Sequence, residues 1–551
     1  MDAAAAEPRS FNIASWLEQR VQERPFQRAV VFPQGRDGNG HAAWTHLTFQ
    51  GLNTLCDEYA RGFEALGVRR GDRVSLLVKP CLAFIPLVFA LFKVGAVPVL
   101  IDPGMGKKPF LSCIERMAPR VLLAEGAVHV LKPLVGAALN SVEIGITVGR
   151  SKGWWADATV EGMRVPSDTP YVAARTGRDE EAAILFTSGS TGPAKGVTYT
   201  HGIFDAQTRN IGALYDLQPG EIDLACFPLF GLFSMALGLT VVIPDMDPTK
   251  PAQADPAKLV EAIQTQGCTF GSGSPAIWKN VAPYCTERGI RLASMKRVLM
   301  FGAPIPVWMH QAFRQILPPG AQIHTPYGAT EGLPVASIGT DEVLDVTRYK
   351  TAQGAGICVG RPAPEMEVRV IGITEDAIEQ WSDALCLPDG EIGELVVKGQ
   401  VVTQEYKASP EHTRLAKIRD GERVRHRMGD LGWIDAEGRV WMCGRKSHRV
   451  TLSDGSLMFT TCCEAVFNEH ADVYRSALVG VDGTPVIVVE REPGQGRDTA
   501  ALTAELLALG SANPLTAQIA RVLFHDAFPV DVRHNAKIHR GELATWAAGQ
   551  A

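Results

Sequence analysis

The feature that most constrains this chain is a loop of glycines and small hydroxyl residues that directly follows an apolar strand pattern. The strand, Ala183–Phe186, runs into Thr-Ser-Gly-Ser-Thr-Gly-Pro-Ala-Lys-Gly, which ends at Gly196. Glycines allow close backbone approach, hydroxyl and amide groups donate hydrogen bonds, and a lysine adds a compact positive charge. A flexible surface turn is not expected immediately after a buried strand, and the spacing differs from a Walker A loop. We therefore predict a phosphate-binding loop with these contact residues: Thr187, Ser188, Gly189, Ser190, Thr191, Gly192 and Lys195.

The pattern around this loop predicts an α/β fold. Apolar strand patterns at Arg73–Val78 and Ala96–Ile101 alternate with helical ones such as Phe49–Leu66. Residues 350–443 instead contain short strands joined by tight turns, which predicts a β-rich subdomain.

Length and pattern together predict two domains. A chain of 551 residues exceeds the size of one hydrophobic core. After Gly444 the pattern changes to a helix with Glu464, two strands and a terminal helix that we expect to be basic. We predict a large domain over residues 1–444 and a small α+β domain over residues 445–551.

Composition narrows the class of protein. The net charge of −6, without a lysine or arginine run, predicts no nucleic-acid partner. Eleven scattered cysteines favour a reducing, cytoplasmic location, and the first residues do not resemble a secretory signal. The most apolar segment, Cys81–Phe92, is shorter than the roughly 20 residues of a membrane span. It is expected to form a buried helix, and no transmembrane segment is predicted.

Several further motifs follow the loop in a fixed order. They are Gly302-Ala-Pro, Tyr327-Gly-Ala-Thr-Glu331, Gly393-Glu-Leu-Val-Val-Lys-Gly, Gly429-Asp430-Leu-Gly-Trp, Gly444-Arg445 and a lysine near the C-terminus. Over about residues 40–545 the chain thereby resembles the acyl-adenylate-forming superfamily of acyl-CoA synthetases, peptide-synthetase adenylation domains and luciferases. The resemblance implies a cytoplasmic ligase that uses ATP and Mg²⁺ and has a mobile C-terminal domain.

The resemblance also implies roles for residues of these motifs. Glu331 would hold Mg²⁺, for which a carboxylate oxygen is a suitable ligand. Asp430 would accept hydrogen bonds from the ribose hydroxyls, and Arg445 would contact ribose or phosphate. The remaining implied nucleotide contacts are the phosphate-binding Thr187 and Thr330, the adenine ledge Gly302, Ala303 and Pro304, and the motif residues Tyr327, Gly328 and Ala329.

Lys537 matches the superfamily's C-terminal catalytic lysine. It would offset charge on the phosphoryl oxygens while the substrate carboxylate attacks the α-phosphorus in line. A lone lysine near a terminus is usually a surface residue, but the following Ile-His-Arg540 favours catalysis. The usual hinge residue, Asp or Lys, is replaced by Ser447, a small residue that can also serve as a hinge.

Departures from the coenzyme A ligases point to one branch of the superfamily. Leu457 replaces a basic residue, Cys462 replaces the usual first glutamate of a later motif, and no histidine follows Pro228-Leu-Phe. These features resemble the β-lactone-forming branch that serves olefin biosynthesis. The resemblance implies a long-chain 2-alkyl-3-hydroxy acid as substrate, a cis or trans 3,4-dialkyl β-lactone as product, and a complex with other olefin-pathway enzymes.

Apolar residues between Phe227 and Met235 suit such a substrate. Phe227, Phe230 and Phe233 are predicted to line its pocket, although an ordinary core position explains most of this segment equally well. His201 and His324 are candidate bases for the hydroxyl, and a structural role is the alternative for each.

Two other functions remain open. A long-chain fatty acyl-CoA ligase would have the same mechanism but would require coenzyme A. A catalytically silent acyl- or nucleotide-binding protein would be favoured by loss of Glu331 or Lys537, and the chain contains both.

Overall fold

A computed structural model describes residues 11–130, 135–149, 153, 155–186, 194–494, 498–530 and 537–550. The helices are α1 Ser15–Glu23, α2 Phe49–Ala65, α3 Phe84–Val94, α4 Lys107–Met117, α5 Gly126–Val130, α6 His201–Leu214, α7 Gly231–Ala236, α8 Pro256–Gln266, α9 Pro275–Glu287, α10 Val307–Ile316, α11 Thr340–Glu342, α12 Arg348–Ala352, α13 Pro410–Ala416, α14 Thr460–Phe467, α15 Thr499–Ser511 and α16 Arg540–Ala548. The strands are β1 Arg28–Arg36, β2 Ala42–Thr48, β3 Arg73–Leu77, β4 Val97–Leu100, β5 Val121–Glu125, β6 Ile144–Val148, β7 Ala158–Thr159, β8 Glu181–Phe186, β9 Gly196–Thr200, β10 Ile222–Ala225, β11 Thr240–Val242, β12 Phe270–Gly273, β13 Arg297–Met300, β14 Gln322–Ala329, β15 Gly332–Gly339, β16 Ile357–Pro362, β17 Glu367–Ile371, β18 Gly393–Lys398, β19 Tyr406–Lys407, β20 Lys417–Asp420, β21 Arg423–Ile434, β22 Val440–Arg445, β23 Val450–Thr451, β24 Leu457–Met458, β25 Val473–Val481, β26 Thr484–Arg491 and β27 Arg521–Phe524.

Two large sheets form the frame. The 14-stranded sheet runs in the order β17-β18-β21-β22-β16-β15-β14-β13-β12-β10-β11-β1-β2, with β20 beside β21, and the 8-stranded sheet runs β19-β9-β8-β4-β3-β5-β6-β7. Both contain parallel runs, β11-β10-β12-β13-β14 in the first and β8-β4-β3-β5-β6 in the second. The α/β prediction is confirmed.

Helix α3 explains why this fold needs a large core. Every one of its residues is buried, including Lys93, whose ammonium lies 2.6 Å from the Asp57 carboxylate. The helix ends at Gly95, which adopts φ 78°, a left-handed conformation open to glycine. The most apolar segment of the sequence is thus a buried helix, as predicted. Within the described part of the chain, no helix is long and apolar enough to cross a membrane.

The predicted β-rich segment contains β16–β22, and most of these strands continue the 14-stranded sheet. After them, β25, β26 and β27 form a separate three-stranded sheet that packs with α14 and α16. The terminal helix differs from the expectation. It begins at Arg540 and carries one other charge, Glu542, so it is not basic.

The site motifs share a topological position. Parallel strands β8, β10 and β13 lead at their carboxyl ends into the phosphate-loop segment, the Phe227 segment and the Gly302 segment, respectively. In open α/β sheets, ligands bind outside these carboxyl ends. The Phe227 and Gly302 segments, which follow strands of the same sheet, are thereby brought together, with Phe227 against Phe301.

Candidate active site

Glu331 lies at the tip of a tight β-hairpin. Thr330 and Glu331 form the two-residue turn between β14 and β15, where Ala329 pairs with Gly332. The turn is held from the other sheet, because the Tyr199 hydroxyl donates to the Thr330 carbonyl at 2.6 Å. A short turn of this kind fixes its side chains at the end of the sheet. The contiguous motif found in the sequence is thus an extended strand ending in a projected carboxylate.

Two residues that sequence analysis missed hold Glu331. The Tyr406 hydroxyl donates to its Oε1 at 2.6 Å, and the Thr403 amide and hydroxyl donate to its carbonyl oxygen at 2.9 and 3.1 Å. Burial and the Glu331 carboxylate raise the pKa of Tyr406, so its hydroxyl remains a donor. The magnesium carboxylate predicted from the motif therefore has a fixed orientation.

Two lysine side chains lie over the Tyr406 ring. The ammonium groups of Lys195 and Lys417 lie 5.1 and 5.7 Å from its centroid. Lys417 also donates to the carbonyl and hydroxyl oxygens of Thr403, at 2.5 and 3.1 Å. Burial lowers the pKa of Lys417 to about 7, an effect that the charge of Glu331 opposes. Lys195 therefore supplies positive charge beside the carboxylate, and Lys417 adds to it when protonated, which suits polyphosphate binding.

Asp430 belongs to a second polar arrangement. It lies on β21 directly opposite Arg445 on β22, with 3.1 Å between Oδ1 and the guanidinium, and its Oδ2 accepts from the Tyr327 hydroxyl at 2.7 Å. Burial raises the pKa of Asp430, while Arg445 and Tyr327 oppose that rise. Three residues predicted from separate motifs are brought together here. Arg445 remains 41% exposed at its side chain, so it can reach a ligand.

The predicted adenine ledge forms the loop between β13 and α10. Gly302 has φ 97°, which favours glycine at this position. Gly302 and Pro304 are exposed and Ala303 is half-buried, so the backbone is accessible to a flat ring.

The predicted pocket phenylalanines form an aromatic cluster with one residue that the sequence did not indicate. Phe301 stacks on Phe230 at 5.6 Å between centroids and meets Phe227 edge-on at 5.9 Å, and Phe233 lies 5.8 Å from Phe230. Phe230 is buried, whereas the other three are half-buried. Because Phe301 directly precedes Gly302, the aromatic cluster adjoins the adenine ledge. The one sequence clue to Phe301 was its position directly before the Gly302 motif.

The two candidate histidines are neutral. His201 is buried and its Nδ1 accepts from the Ile13 amide at 3.1 Å, which is a structural role. His324 packs edge-on against Tyr215, 5.4 Å between centroids, beside the aromatic cluster. Burial lowers the pKa of each to about 4, so both are weak bases.

Lys537 lies between two fixed points of the C-terminal segment. Val530 and Ile538 form an isolated antiparallel bridge, and Arg540 makes a two-pronged ion pair with buried Glu464, at 2.5 and 2.9 Å. Thr187, Ser188, Gly189, Ser190, Thr191 and Gly192 lie outside the described residues, so their contacts stay predictions.

The residues present fit ATP with Mg²⁺. Glu331 offers a carboxylate, a hard oxygen ligand, and one of its oxygens accepts a hydrogen bond from Tyr406. Among the residues that the structure describes, no group of three carboxylate, histidine or cysteine side chains could hold a metal alone. Magnesium usually binds through one or two carboxylates together with substrate phosphates, so one carboxylate is sufficient.

Comparison with known proteins gives the family. The model of the AMP-binding enzyme family matches residues 17–407. The chain is 45% identical to an olefin β-lactone synthetase of Xanthomonas campestris, with 98% of each chain covered, and 43% identical to that of Stenotrophomonas maltophilia, with 98% and 99% covered. Its fold matches O-succinylbenzoate coenzyme A synthetase of Bacillus subtilis, solved with ATP and magnesium, at TM-score 0.74 and 20% identity over 96% of this chain and 98% of that one. The chain therefore belongs to the AMP-binding enzyme family, and within it to the group of olefin β-lactone synthetases.

Proposed function

We propose that this enzyme converts a long-chain 2-alkyl-3-hydroxy acid to a 3,4-dialkyl β-lactone, with ATP cleaved to AMP and pyrophosphate, in olefin biosynthesis. The observation that carries the proposal is 45% identity to an olefin β-lactone synthetase over 98% of both chains. The polar arrangement around Glu331 and Asp430 supports it, because an adenylating enzyme needs those charges.

Adenylation is the first half of the proposed reaction. Asp430 and Arg445 bind the ribose end, and the adenine lies on the Gly302 ledge. Glu331 holds Mg²⁺, which when bound neutralises phosphate charge. Lys537 stabilises charge on the α-phosphoryl group while the substrate carboxylate attacks, and pyrophosphate leaves.

Ring closure is the second half. The β-hydroxyl oxygen attacks the activated carbonyl carbon, the bond from that carbon to the AMP oxygen breaks, AMP departs with the electron pair, and the hydroxyl proton is released to solvent. The tethered nucleophile offsets roughly 7–11 kcal/mol of barrier, which counters ring strain. The aromatic cluster covers the alkyl chains and excludes water.

We further propose the organisation of the whole enzyme. Residues 1–444 bind ATP and the acid, and residues 445–551 move as the domain that carries Lys537. All eleven cysteines are free, which is usual in the reducing cytoplasm, the location that we propose. A complex with other enzymes of the olefin pathway would pass the apolar product on.

Product analysis tests the function. The purified enzyme is incubated with ATP, Mg²⁺ and a long-chain 2-alkyl-3-hydroxy acid, with and without coenzyme A, and the products are identified by NMR. A β-lactone formed without coenzyme A is the expected result. A thioester formed only with coenzyme A would instead identify an acyl-CoA ligase, and AMP formation in neither mixture would favour the silent binding protein.

A further inference from the structure

Tyr406 joins parts of the site that belong to different sheets. Its strand, β19, contains only two residues and pairs with β9 of the 8-stranded sheet, with Tyr406 opposite Val197 and Lys407 opposite Gly196. Its hydroxyl reaches Glu331, which lies at the hairpin tip of the 14-stranded sheet. The side chain therefore crosses from the end of the phosphate-loop segment to the magnesium carboxylate.

The ring of Tyr406 is also in contact with charge. Lys195 and Lys417 lie over it at 5.1 and 5.7 Å, distances at which an ammonium is attracted to an aromatic face. Lys417 donates to Thr403, and Thr403 donates to the backbone of Glu331. Both the carboxylate and the backbone of Glu331 are thus fixed by this group.

We propose that Tyr406 is a positioning residue for Mg²⁺·ATP, which orients the Glu331 carboxylate and holds Lys195 beside it, with Lys417 supporting the ring. The inference rests on the proposed function, because it assumes that Glu331 receives the metal. With Oε1 engaged by the hydroxyl, Oε2 would be the carboxylate oxygen that binds the ion. Partners that orient metal ligands in this way typically contribute 10- to 100-fold to metal affinity.

The test is calorimetric binding of ATP to the full-length enzyme, with Mg²⁺ and with EDTA in its place. Tyr406→Phe keeps the ring and removes the hydroxyl. We expect about tenfold weaker ATP binding in Mg²⁺ and unchanged binding in EDTA. Equal weakening in both, or native binding in both, would overturn the inference. Tyr59→Phe, which removes a buried hydroxyl from the core away from the site, is the matched control.

A second background separates positioning from folding. In Glu331→Gln, the Tyr406→Phe change should have no further effect on the Mg²⁺ dependence, because the two groups act as a unit. An additive loss would contradict the proposal. Lys417→Met should weaken Mg²⁺·ATP binding about threefold, since it removes a support of the ring and a donor to Thr403 but no direct contact with Glu331.

The same data distinguish the two levels of inference. If native enzyme binds ATP equally with and without Mg²⁺, the assignment of Glu331 fails and the role of Tyr406 fails with it. If native binding requires Mg²⁺ and Tyr406→Phe behaves as native, only the role of Tyr406 fails.

Discussion

The nucleotide side of the site and the aromatic cluster are built in different ways. On the nucleotide side, the Glu331 and Asp430 carboxylates are contacted at 2.6–3.1 Å by two tyrosine hydroxyls and a guanidinium. In the aromatic cluster, ring centroids lie 5.6–5.9 Å apart with interplanar angles from 27° to 74°. Directional bonds tolerate little displacement, whereas packed rings tolerate exchanges that conserve volume. Activity should therefore respond to the loss of single polar atoms on the nucleotide side, and to changes of side-chain shape in the aromatic cluster.

The largest effect should come from Lys537→Ala. Loss of a group that stabilises transition-state charge typically lowers kcat by about 100- to 1,000-fold. We expect that loss in pyrophosphate release, with ATP binding within about threefold of native because ground-state contacts remain. Equal loss of binding and turnover, or native rates, would remove the assigned role.

Asp430→Ala tests the hydrogen-bonded nucleotide side of the site, at the residue assigned to the ribose. It deletes the partner of both Tyr327 and Arg445. Hydrogen bonds to charged groups contribute about 1.5–3 kcal/mol, so KM for ATP should rise about 10- to 100-fold. Steady-state kinetics measure this change, and Asp454→Ala, in an exposed turn, is the control. A KM within twofold of native would contradict the ribose assignment.

Asp223→Asn tests a buried carboxyl on β10, the strand that leads to Phe227. Asp223 accepts from Ser234 at 2.7 Å, and burial raises its pKa from 3.8 to about 7. Between those pH values the folded state holds a proton that the unfolded state has lost, so the free energy of unfolding falls as pH rises. The asparagine removes that dependence.

Relative to native, Asp223→Asn should gain about 3 kcal/mol in the free energy of unfolding as the pH rises from 5 to 8. Differential scanning fluorimetry at both pH values would register it as a higher Tm of the variant relative to native at pH 8. A difference in Tm that does not change with pH would show that Asp223 ionises normally.

Phe233→Leu should have the smallest effect. Phe233 is half-buried and lies 5.8 Å from Phe230 and 6.2 Å from Phe204. Leucine keeps the position apolar at a smaller volume, and a limited loss of this kind costs about 0.5–1.5 kcal/mol, so KM for the acid should change less than about tenfold. KM for ATP should not change. If it rises as in Asp430→Ala, the two sides of the site are not independent.

The sequence was informative where chemistry is contiguous. Glu331 and Asp430 belong to short contiguous motifs, so both could be named as candidate site residues from the sequence. Tyr406 could not, because it reaches Glu331 only through a two-residue strand that pairs with β9, and a segment so short has no periodicity. Lys417 was missed for the same reason, since its role depends on tertiary contact with Thr403. The terminal helix was wrongly expected to be basic because its start at Arg540 could not be located from the pattern.

The crossing of Tyr406 between sheets has a consequence for how the enzyme unfolds. Together with the bond from Tyr199 to Thr330, it adds polar links between two sheets that already share one hydrophobic cluster, which contains Val241 of the first sheet and Val121 of the second. A nucleotide that contacts both sheets binds the folded state alone, and it therefore stabilises that state relative to the unfolded one. We therefore expect the two sheets to unfold in a single thermal transition, whose Tm rises when ATP is added.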